Sequence, residues 1–486
     1  MPFIISRVGA SWYGIWVILF AIVDYINLFD LGVGAATIKY VAEYHALGKY
    51  RKILQVIFTT FIFRLIFIPP LVFAYFFENT ILGFFSIDPH DMVDAVFIFR
   101  WILLNFALSQ FTSVFRNTLI GLQRIHINNL CEILYLLAYA FTTLIVLGSG
   151  AGLKSLVIML FVLRCFLSGA QLFCVTSSIP VFEGNIGLFD ARLLKKFFSY
   201  GIKLQFNSFA GLINFQFDKL LIGHFLKLDF VAFYEVGSKL AMTIRLLPSI
   251  LLSPMIPASA ELKVYHDCVR LEKLYRQGTK YLFLLAAPLT AFMVAMGPLI
   301  MQLWLGGRSH PYAVLALQML SIGYCFNITA GAALSIGRGI GVLKYELQAT
   351  ILIAIMNLIL SIALIIRMGF IGALIGTSVA MVVGNGIYFI RFNRFIRTAA
   401  NHSLTQILTK PFISACLAGT IIYIANGLLE GVMHYSAMGR LGLAGYLIVS
   451  GFFFFGVFAG CLYVMKFFSR ADIGFFSDLL AAIKTI

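Results

Sequence analysis

The sequence predicts an all-α protein that crosses a lipid bilayer many times. Its composition is the first reason: 61% of the 486 residues are hydrophobic and 12% are charged, and the mean hydropathy is +0.96. Soluble domains are only about half apolar. The second reason is a succession of apolar stretches that reach the roughly 20 residues needed to cross the hydrocarbon layer. Because lipid cannot satisfy backbone N–H and C=O groups, these stretches must be helices.

The apolar stretches define thirteen complete spans, separated mostly by short polar turns. In chain order they lie at 15–37, 53–77, 95–118, 127–147, 153–176, 197–222, 229–255, 279–303, 312–334, 347–366, 370–390, 411–429 and 441–466. Residues 1–9 have the composition of the end of a further helix. Residues 471–486 place Ile473, Phe476, Leu480 and Ile483 on one face of a short amphipathic helix.

Basic residues predict the orientation, because cytoplasmic loops retain Lys and Arg. One set of alternate loops, which includes residues 49–52 and 263–280, carries most of them, and the C-terminal segment belongs to that set. We therefore expect a cytoplasmic C-terminus. The net charge of +16 is spread over many short loops, which favours membrane topology over a nucleic-acid partner.

Charged residues inside the spans are the candidate functional residues, since a charge at mid-span costs about 2.5–3.5 kcal/mol and usually faces a protein interior or a watery cavity. The cations are Arg64, Arg100, Arg164, Lys219, Lys239 and Arg245, and the acids are Asp24, Asp30, Glu132, Asp218 and Glu235. Any one of them could snorkel or pair between helices, and Arg100 and Asp24 suit that role best. As a group the cations outnumber nearby acids, which predicts a cationic cavity for a phosphate-bearing substrate.

No other motif points to catalysis or to a metal. The eight histidines lack metal-ligand spacing, the seven cysteines are irregularly placed and are expected to be free thiols, and no soluble catalytic domain fits the short loops. Gly32-x-Gly34 lacks a third glycine and a preceding strand, so we interpret it as close helix packing. We therefore expect neither a catalytic residue nor a metal site.

Two pairs of short segments suggest an internal duplication. Residues 12–15 (Trp-Tyr-Gly-Ile) resemble residues 233–236 (Phe-Tyr-Glu-Val), and each precedes a span followed by a basic cluster. Residues 120–124 (Ile-Gly-Leu-Gln-Arg) resemble 336–338 (Ile-Gly-Arg). Parallel repeats are common among transporters. The predicted domains are an N-terminal lobe at 1–196, a C-terminal lobe at 197–410, an added helix pair at 411–466 and a cytoplasmic tail at 467–486.

An ordered set of motifs resembles the bacterial polysaccharide transporter family, of the O-antigen flippase type. It begins with Phe-Asp-Leu-Gly-Val-Gly at 29–34 and Lys-Tyr-Val-Ala-Glu-Tyr at 39–44. The later motifs are Gly-Leu-Gln-Arg at 121–124, Asp-Lys-Leu-Leu-Ile-Gly at 218–223, Val-Ala-Phe-Tyr at 231–234, Gly-Ser-Lys-Leu at 237–240, Pro-Ala-Ser-Ala-Glu-Leu at 257–262 and Leu-Trp-Leu-Gly at 303–306. Together they cover most of the first 310 residues.

The resemblance implies two six-helix lobes around a central cavity, two extra C-terminal helices, and a complete first helix whose end matches residues 2–9, so the first helix of this chain is expected to be truncated. It implies transport of an undecaprenyl-diphosphate-linked oligosaccharide across the bacterial inner membrane by alternating access, without an enzymatic step or a cofactor. The expected partners are this lipid-linked substrate, the bilayer, and a polysaccharide polymerase with its chain-length machinery. We expect substrate binding by Arg64, Arg164, Lys219, Lys239 and Arg245, and proton or sodium coupling by Asp24, Asp30 or Glu235.

Two alternatives remain open from the sequence. A multidrug or small-solute antiporter of the same superfamily would be favoured by an acidic cavity in the first lobe. A membrane polysaccharide polymerase or ligase would need a large outward loop, and the longest such loop, at about 78–94, is small for that purpose.

Overall fold

The computed structural model describes residues 1–179, 216–396, 404–430 and 439–468, together with residues 193, 194 and 197. Most of the predicted span at 197–222 and all of the amphipathic helix predicted at 471–486 lie outside the described residues. The boundary predicted after residue 196 also falls there and stays a prediction.

Every regular element of the described chain is helical, as expected. The chain divides into two compact units, Met1–Ala232 (unit 1) and Phe233–Ile486 (unit 2). The helices that begin in unit 1 are α1 (Pro2–Val8), α2 (Ala10–Ile26), α3 (Val33–Ala46), α4 (Tyr50–Arg64), α5 (Ile68–Phe76), α6 (Glu78–Gly83), α7 (Met92–Gly121), α8 (Ile125–Gly148), α9 (Gly152–Thr176) and α10 (Leu228–Ala241).

Unit 2 continues with nine further helices among the described residues. They are α11 (Thr243–Ser249), α12 (Met255–Val264), α13 (Cys268–Leu305), α14 (Pro311–Thr329), α15 (Gly331–Gly339), α16 (Lys344–Met368), α17 (Phe370–Ile396), α18 (Leu404–Glu430) and α19 (Arg440–Val464).

Twelve helical segments of the described chain are long and apolar enough to cross a membrane. They coincide with twelve of the thirteen predicted spans, so the prediction of a multi-pass helical protein is confirmed. The prediction for the first span, 15–37, was wrong at both ends. The helix begins at Ala10 and stops near Asp30, because Leu31 and Gly32 adopt left-handed φ angles of 47° and 71° before α3 begins.

Each unit has its own apolar core. In unit 1, side chains of α3, α4 and α7, among them Val33, Ile53 and Leu119, pack in one cluster with Phe197. In unit 2, a larger cluster joins α13 to its neighbours and includes Leu282, Ile328, Phe392 and Phe454. Because Ala418 of α18 and Phe454 of α19 belong to this cluster, the last two helices pack directly on the core of unit 2.

The turns after α3 and α12 have the same hydrogen-bond pattern. The residue at the bend is left-handed in both, with a φ of 66° at Gly48 and 53° at His266. The bonds run from Leu47 N–H to Glu43 C=O and from Lys49 N–H to Tyr44 C=O after α3, and from Tyr265 N–H to Glu261 C=O and from Asp267 N–H to Leu262 C=O after α12. Glu43 and Glu261 therefore occupy equivalent positions.

A second shared turn follows α7 and α15. Gln123 and Gly341 are left-handed, with φ angles of 61° and 78°. The bonds run from Leu122 N–H to Thr118 C=O and from Arg124 N–H to Leu119 C=O in unit 1, and from Ile340 N–H to Ile336 C=O and from Val342 N–H to Gly337 C=O in unit 2. The two stretches between the turns, 43–124 and 261–342, have equal length, so their residues correspond one to one.

The structure corrects the alignment suggested by the second sequence pair. Gly121 corresponds to Gly339, and not to Gly337 as the letters suggested. Both glycines allow close packing: a Cβ on Gly121 would collide with Val41, and a Cβ on Gly339 would collide with Ser259. Val41 and Ser259 are themselves equivalent positions. The correspondence extends to α9 and α17, which begin at the equivalent residues Gly152 and Phe370.

Candidate functional site

A buried charged network lies between α2, α4 and α7 in unit 1. The Arg64 side chain is 2% exposed and forms an ion pair with Asp30. Its Nη1 also donates to Gln110 Oε1 at 3.2 Å, and Gln110 Nε2 donates to Asn27 Oδ1 at 3.3 Å. Asp30 and Gln110 both bind Nη1 and so stabilise the buried charge, whereas the Arg64 Nε is buried without a hydrogen-bond partner in the described part of the chain.

The break after α2 and a glycine position this network. Asp30 ends a 3₁₀ turn, Asn27–Asp30, which directly precedes the left-handed pair at 31 and 32. A Cβ on Gly34 would lie 2.9 Å from Asn117 Nδ2 and 3.7 Å from Arg64 Nη2. The interpretation of Gly32-x-Gly34 as close packing therefore fits Gly34, whereas Gly32 serves the turn.

A second polar cluster contains Asp24 and Lys219. Gln216 connects them: its Nε2 donates to Asp24 Oδ2 at 3.3 Å, and its Oε1 accepts from Lys219 Nζ at 2.6 Å. Asp218, beside Lys219, is fully buried. Asp24 thus lies in a helix contact, which is one of the two roles considered for it.

A third cluster runs between α8 and α9. The Arg164 guanidinium lies 4.5 Å from the centroid of the Tyr135 ring, and its Nε is buried without a hydrogen-bond partner in the described part of the chain. Nearer the C-terminal end of α9, the fully buried Gln171 donates to Asn128 Oδ1 and to Glu132 Oε1, both at 3.3 Å. Among the described residues, Arg164 has an aromatic neighbour but forms no ion pair.

The two remaining candidate cations lie in unit 2. Lys239 Nζ is 3.5 Å from Glu235 Oε1, one helical turn away on α10. Arg245, on α11, is partly buried and interacts electrostatically with Tyr324. The structure thus brings predicted substrate-binding cations together with predicted coupling acids: Arg64 with Asp30, and Lys239 with Glu235.

Arg100 has a carboxylate partner at the end of α7. Its Nε lies 3.0 Å from Glu78 Oε2, and the guanidinium also reaches Oε1. This pair satisfies the expectation that Arg100 snorkels or finds a partner. In the described residues, no three His, Cys, Asp or Glu side chains are close enough together to hold a metal ion.

The equivalent positions in unit 2 are apolar. Leu282 corresponds to Arg64, Ile328 to Gln110 and Val382 to Arg164. Leu282 and Ile328 both belong to the apolar core of unit 2. At these positions the same helical framework therefore supports apolar residues in unit 2 and charged or amide residues in unit 1, so the fold does not require the charges there.

Sequence reasoning missed the uncharged polar partners Gln110, Asn117, Gln171 and Gln216. Gln110, Gln171 and Gln216 each form a hydrogen bond with a charged residue, and the Asn117 amide lies against Gly34. Their presence within apolar spans was the available signal, because amide side chains in membrane helices usually form hydrogen bonds to neighbouring helices.

The chain is similar in sequence to proteins of polysaccharide export. Residues 2–263 match the family described as "Polysaccharide biosynthesis protein". A "Putative O-antigen transporter" from Shigella flexneri is 21% identical over 388 residues, which cover 79% of this chain and 90% of that protein.

Solved structures share the fold. An inward-facing multidrug resistance MATE family transporter of the MOP superfamily matches with a TM-score of 0.71 at 16% identity, covering 82% of this chain and 94% of that one. The lipid II flippase MurJ in an inward closed conformation matches with a TM-score of 0.66 at 14% identity, covering 94% of this chain and 98% of that one. Since the family match spans more than half of its residues, the chain belongs to the polysaccharide biosynthesis protein family, and it has the fold of these multidrug and lipid II transporters.

Proposed function

We propose that this protein is a flippase that moves an undecaprenyl-diphosphate-linked oligosaccharide across the bacterial inner membrane by alternating access. The proposal rests on the buried Arg64 and the half-buried Arg164 of unit 1, at positions where unit 2 has leucine and valine. Arginine forks bind phosphate oxygens in pairs, and their attraction is stronger away from bulk water. A diphosphate is the part of such a substrate that needs this compensation in a membrane.

Arg164 is the first candidate ligand for the diphosphate. It lies in the middle of α9, and no carboxylate in the described residues pairs with it. The N–H group at its buried Nε is a hydrogen-bond donor without a partner in the described residues. The Tyr135 ring stabilises the cation without occupying any of its N–H groups. In the substrate-bound state, the Lys219 ammonium would add a compact positive charge, and the Arg245 guanidinium would add paired N–H donors for phosphate oxygens.

The Asp30–Arg64 pair offers a way to couple transport to an ion. If phosphate oxygens compete for the Arg64 guanidinium, Asp30 loses its cation inside the protein. An unpaired buried carboxylate is costly, so it would take up a proton or a sodium ion. Glu235 and Lys239 form the equivalent kind of pair in unit 2, and Asp24 remains a third candidate for coupling.

An apolar crevice in unit 2 suits the lipid portion of the substrate. It has a volume of about 650 Å³ and lies between α13, α14 and α18, with Phe283, Phe326, Phe412 and Tyr423 among its lining residues. Burial of apolar surface contributes about 25 cal/mol per Å² only when that surface leaves water. A polyprenyl chain already lies in lipid, so the crevice would orient the chain and add little binding free energy.

Complementation tests the proposal. Expressed in a strain that lacks its own O-antigen flippase, the wild-type protein should restore surface glycan, and Arg164→Gln should reduce it at least tenfold at equal membrane level. Arg116→Gln is the matched control, because Arg116 is an exposed arginine on α7. Full export by Arg164→Gln, or drug efflux with no effect on surface glycan, would contradict the proposal, and the second result would favour the antiporter alternative.

The proposal also includes a cytoplasmic C-terminus and contact with the polymerase and chain-length machinery on the outer side. A reporter fused after residue 486 that is active only in the cytoplasm tests the first point. Crosslinking of the wild-type protein to the polymerase in membranes tests the second.

A further inference from the structure

A pocket of about 330 Å³ lies at the end of unit 1 where α2, α7 and α9 begin. It takes no part in the charged clusters described above. The residues that line it and matter here are Arg7, Trp12, Asp94, Ile98, Leu153 and Lys154. It therefore combines an indole, two cations, one carboxylate and an apolar floor in a small volume.

The charged groups of this pocket are available to a ligand. Lys154 Nζ lies 2.5 Å from Asp94 Oδ1, and both side chains are nearly half exposed. The exposed Arg7 guanidinium lies 5.5 Å from the Phe3 ring centroid and forms no ion pair within the described residues. Backbone N–H groups at the start of α9, which also line the pocket, add a preference for negative charge.

The repeat shows that the fold does not need an open pocket here. Tyr312 of unit 2 corresponds to Asp94, and Phe370 corresponds to Gly152. In unit 2 these positions are occupied by packed rings: Tyr312 lies edge-on to Phe370 at 5.4 Å and stacks on His310 at 5.3 Å, and His310 stacks on Phe233 at 4.2 Å. In unit 1 the equivalent residues Asp94 and Gly152 line a cavity with polar walls.

We infer that this pocket binds one sugar ring that carries a carboxylate, as part of the transported glycan. The volume is at the small end of ligand pockets and suits a single ring. The negative face of an indole attracts ring C–H groups, while Asp94 can accept from hydroxyls and the two cations can donate to hydroxyls and to the carboxylate. The pocket has two cations and the start of a helix but one carboxylate. This excess of positive charge favours an acidic sugar over a neutral one.

This inference rests on the proposed transport of a glycan, and its test does not depend on transport. Glucuronate binding to the purified full chain in nanodiscs is measured by titration calorimetry. Trp12→Ala and Lys154→Met should each weaken binding about tenfold. Trp304→Ala removes a tryptophan from α13 in unit 2 and should leave the affinity unchanged.

Several outcomes would overturn the inference. These are glucuronate affinity unchanged in Trp12→Ala, equal affinity for acetate, or equal affinity for glycerol 3-phosphate, which would indicate a lipid headgroup site. Size-exclusion chromatography shows whether Trp12→Ala is folded. If it is not, Trp12→Tyr, which keeps an aromatic face, replaces it. The glucuronate affinity of Trp12→Tyr should be within about threefold of wild type, and that of Lys154→Met should not. Glucuronate binding without glycan export would refute only the proposed function, and export without this binding would refute only the inference.

Discussion

Units 1 and 2 use one helical framework for opposite interiors. At equivalent positions, unit 1 has Arg64 and Gln110 where unit 2 has Leu282 and Ile328. The first pair belongs to a hydrogen-bonded charged network, and the second belongs to an apolar core. Since the framework accepts apolar packing at these positions, the buried Arg64 of unit 1 is there at a cost in stability that the fold does not demand. Such a cost is expected at functional sites.

The largest expected effect comes from removing one member of the unit 1 pair. Arg64→Leu copies the residue of unit 2 but leaves the Asp30 carboxylate without its partner. We expect a loss of about 3–5 kcal/mol in stability and no glycan export. Thermal unfolding of the purified protein and surface glycan measure the two effects. Unchanged stability would show that the ion pair contributes little.

The reverse change in unit 2 tests the comparison from the other side. Leu282→Arg introduces a charge into a fully buried apolar site. We expect a cost of about 2.5–3.5 kcal/mol or failed membrane insertion, because no acid equivalent to Asp30 is provided. Membrane level and unfolding temperature are the readouts, with Leu282→Met as the control. A well-folded arginine variant would mean that the two interiors are interchangeable.

Replacing the whole network should separate stability from function. In the triple variant Arg64→Leu, Gln110→Ile, Asp30→Asn, the first two changes give the unit 2 residues and the third removes the charge that would remain. Apolar replacement of a complete buried pair is often neutral or stabilising, so stability should return to within about 1 kcal/mol of wild type while export stays absent. Restored export in this variant would contradict a functional role for these charges.

A moderate effect on stability, with none expected on the substrate site, concerns a feature that the units share. A Cβ at Gly121 would collide with Val41 of α3, and a Cβ at Gly339 would collide with Ser259 of α12. Gly121→Ala and Gly339→Ala should each cost about 1–3 kcal/mol through overpacking, with similar values for both. Gly148, which has no neighbour within 4 Å of an added Cβ, is the control position. A large effect in only one unit would weaken the structural equivalence of the two turns.

The sequence predicted most of the charged residues of the candidate site, but it did not predict which of them pair with each other. Charges within apolar spans identified Arg64, Arg164, Lys239, Asp30 and Glu235. The sequence assigned the cations to substrate and the acids to coupling, whereas the structure pairs Asp30 with Arg64 and Glu235 with Lys239. The first pair joins residues 34 positions apart on different helices, and no local pattern encodes such a distance.

The helical, multi-pass architecture follows from the sequence, because a bilayer requires every spanning segment to be apolar and to satisfy its own backbone hydrogen bonds. The sequence also identified the family through an ordered set of motifs. Tertiary structure alone decided which residue of one half corresponds to which residue of the other, because that correspondence is fixed by turn geometry and close glycine contacts. It likewise placed Asp94 at an open pocket near Trp12 in unit 1 and the equivalent Tyr312 against aromatic rings in unit 2, since such contacts depend on how side chains from separate helices meet.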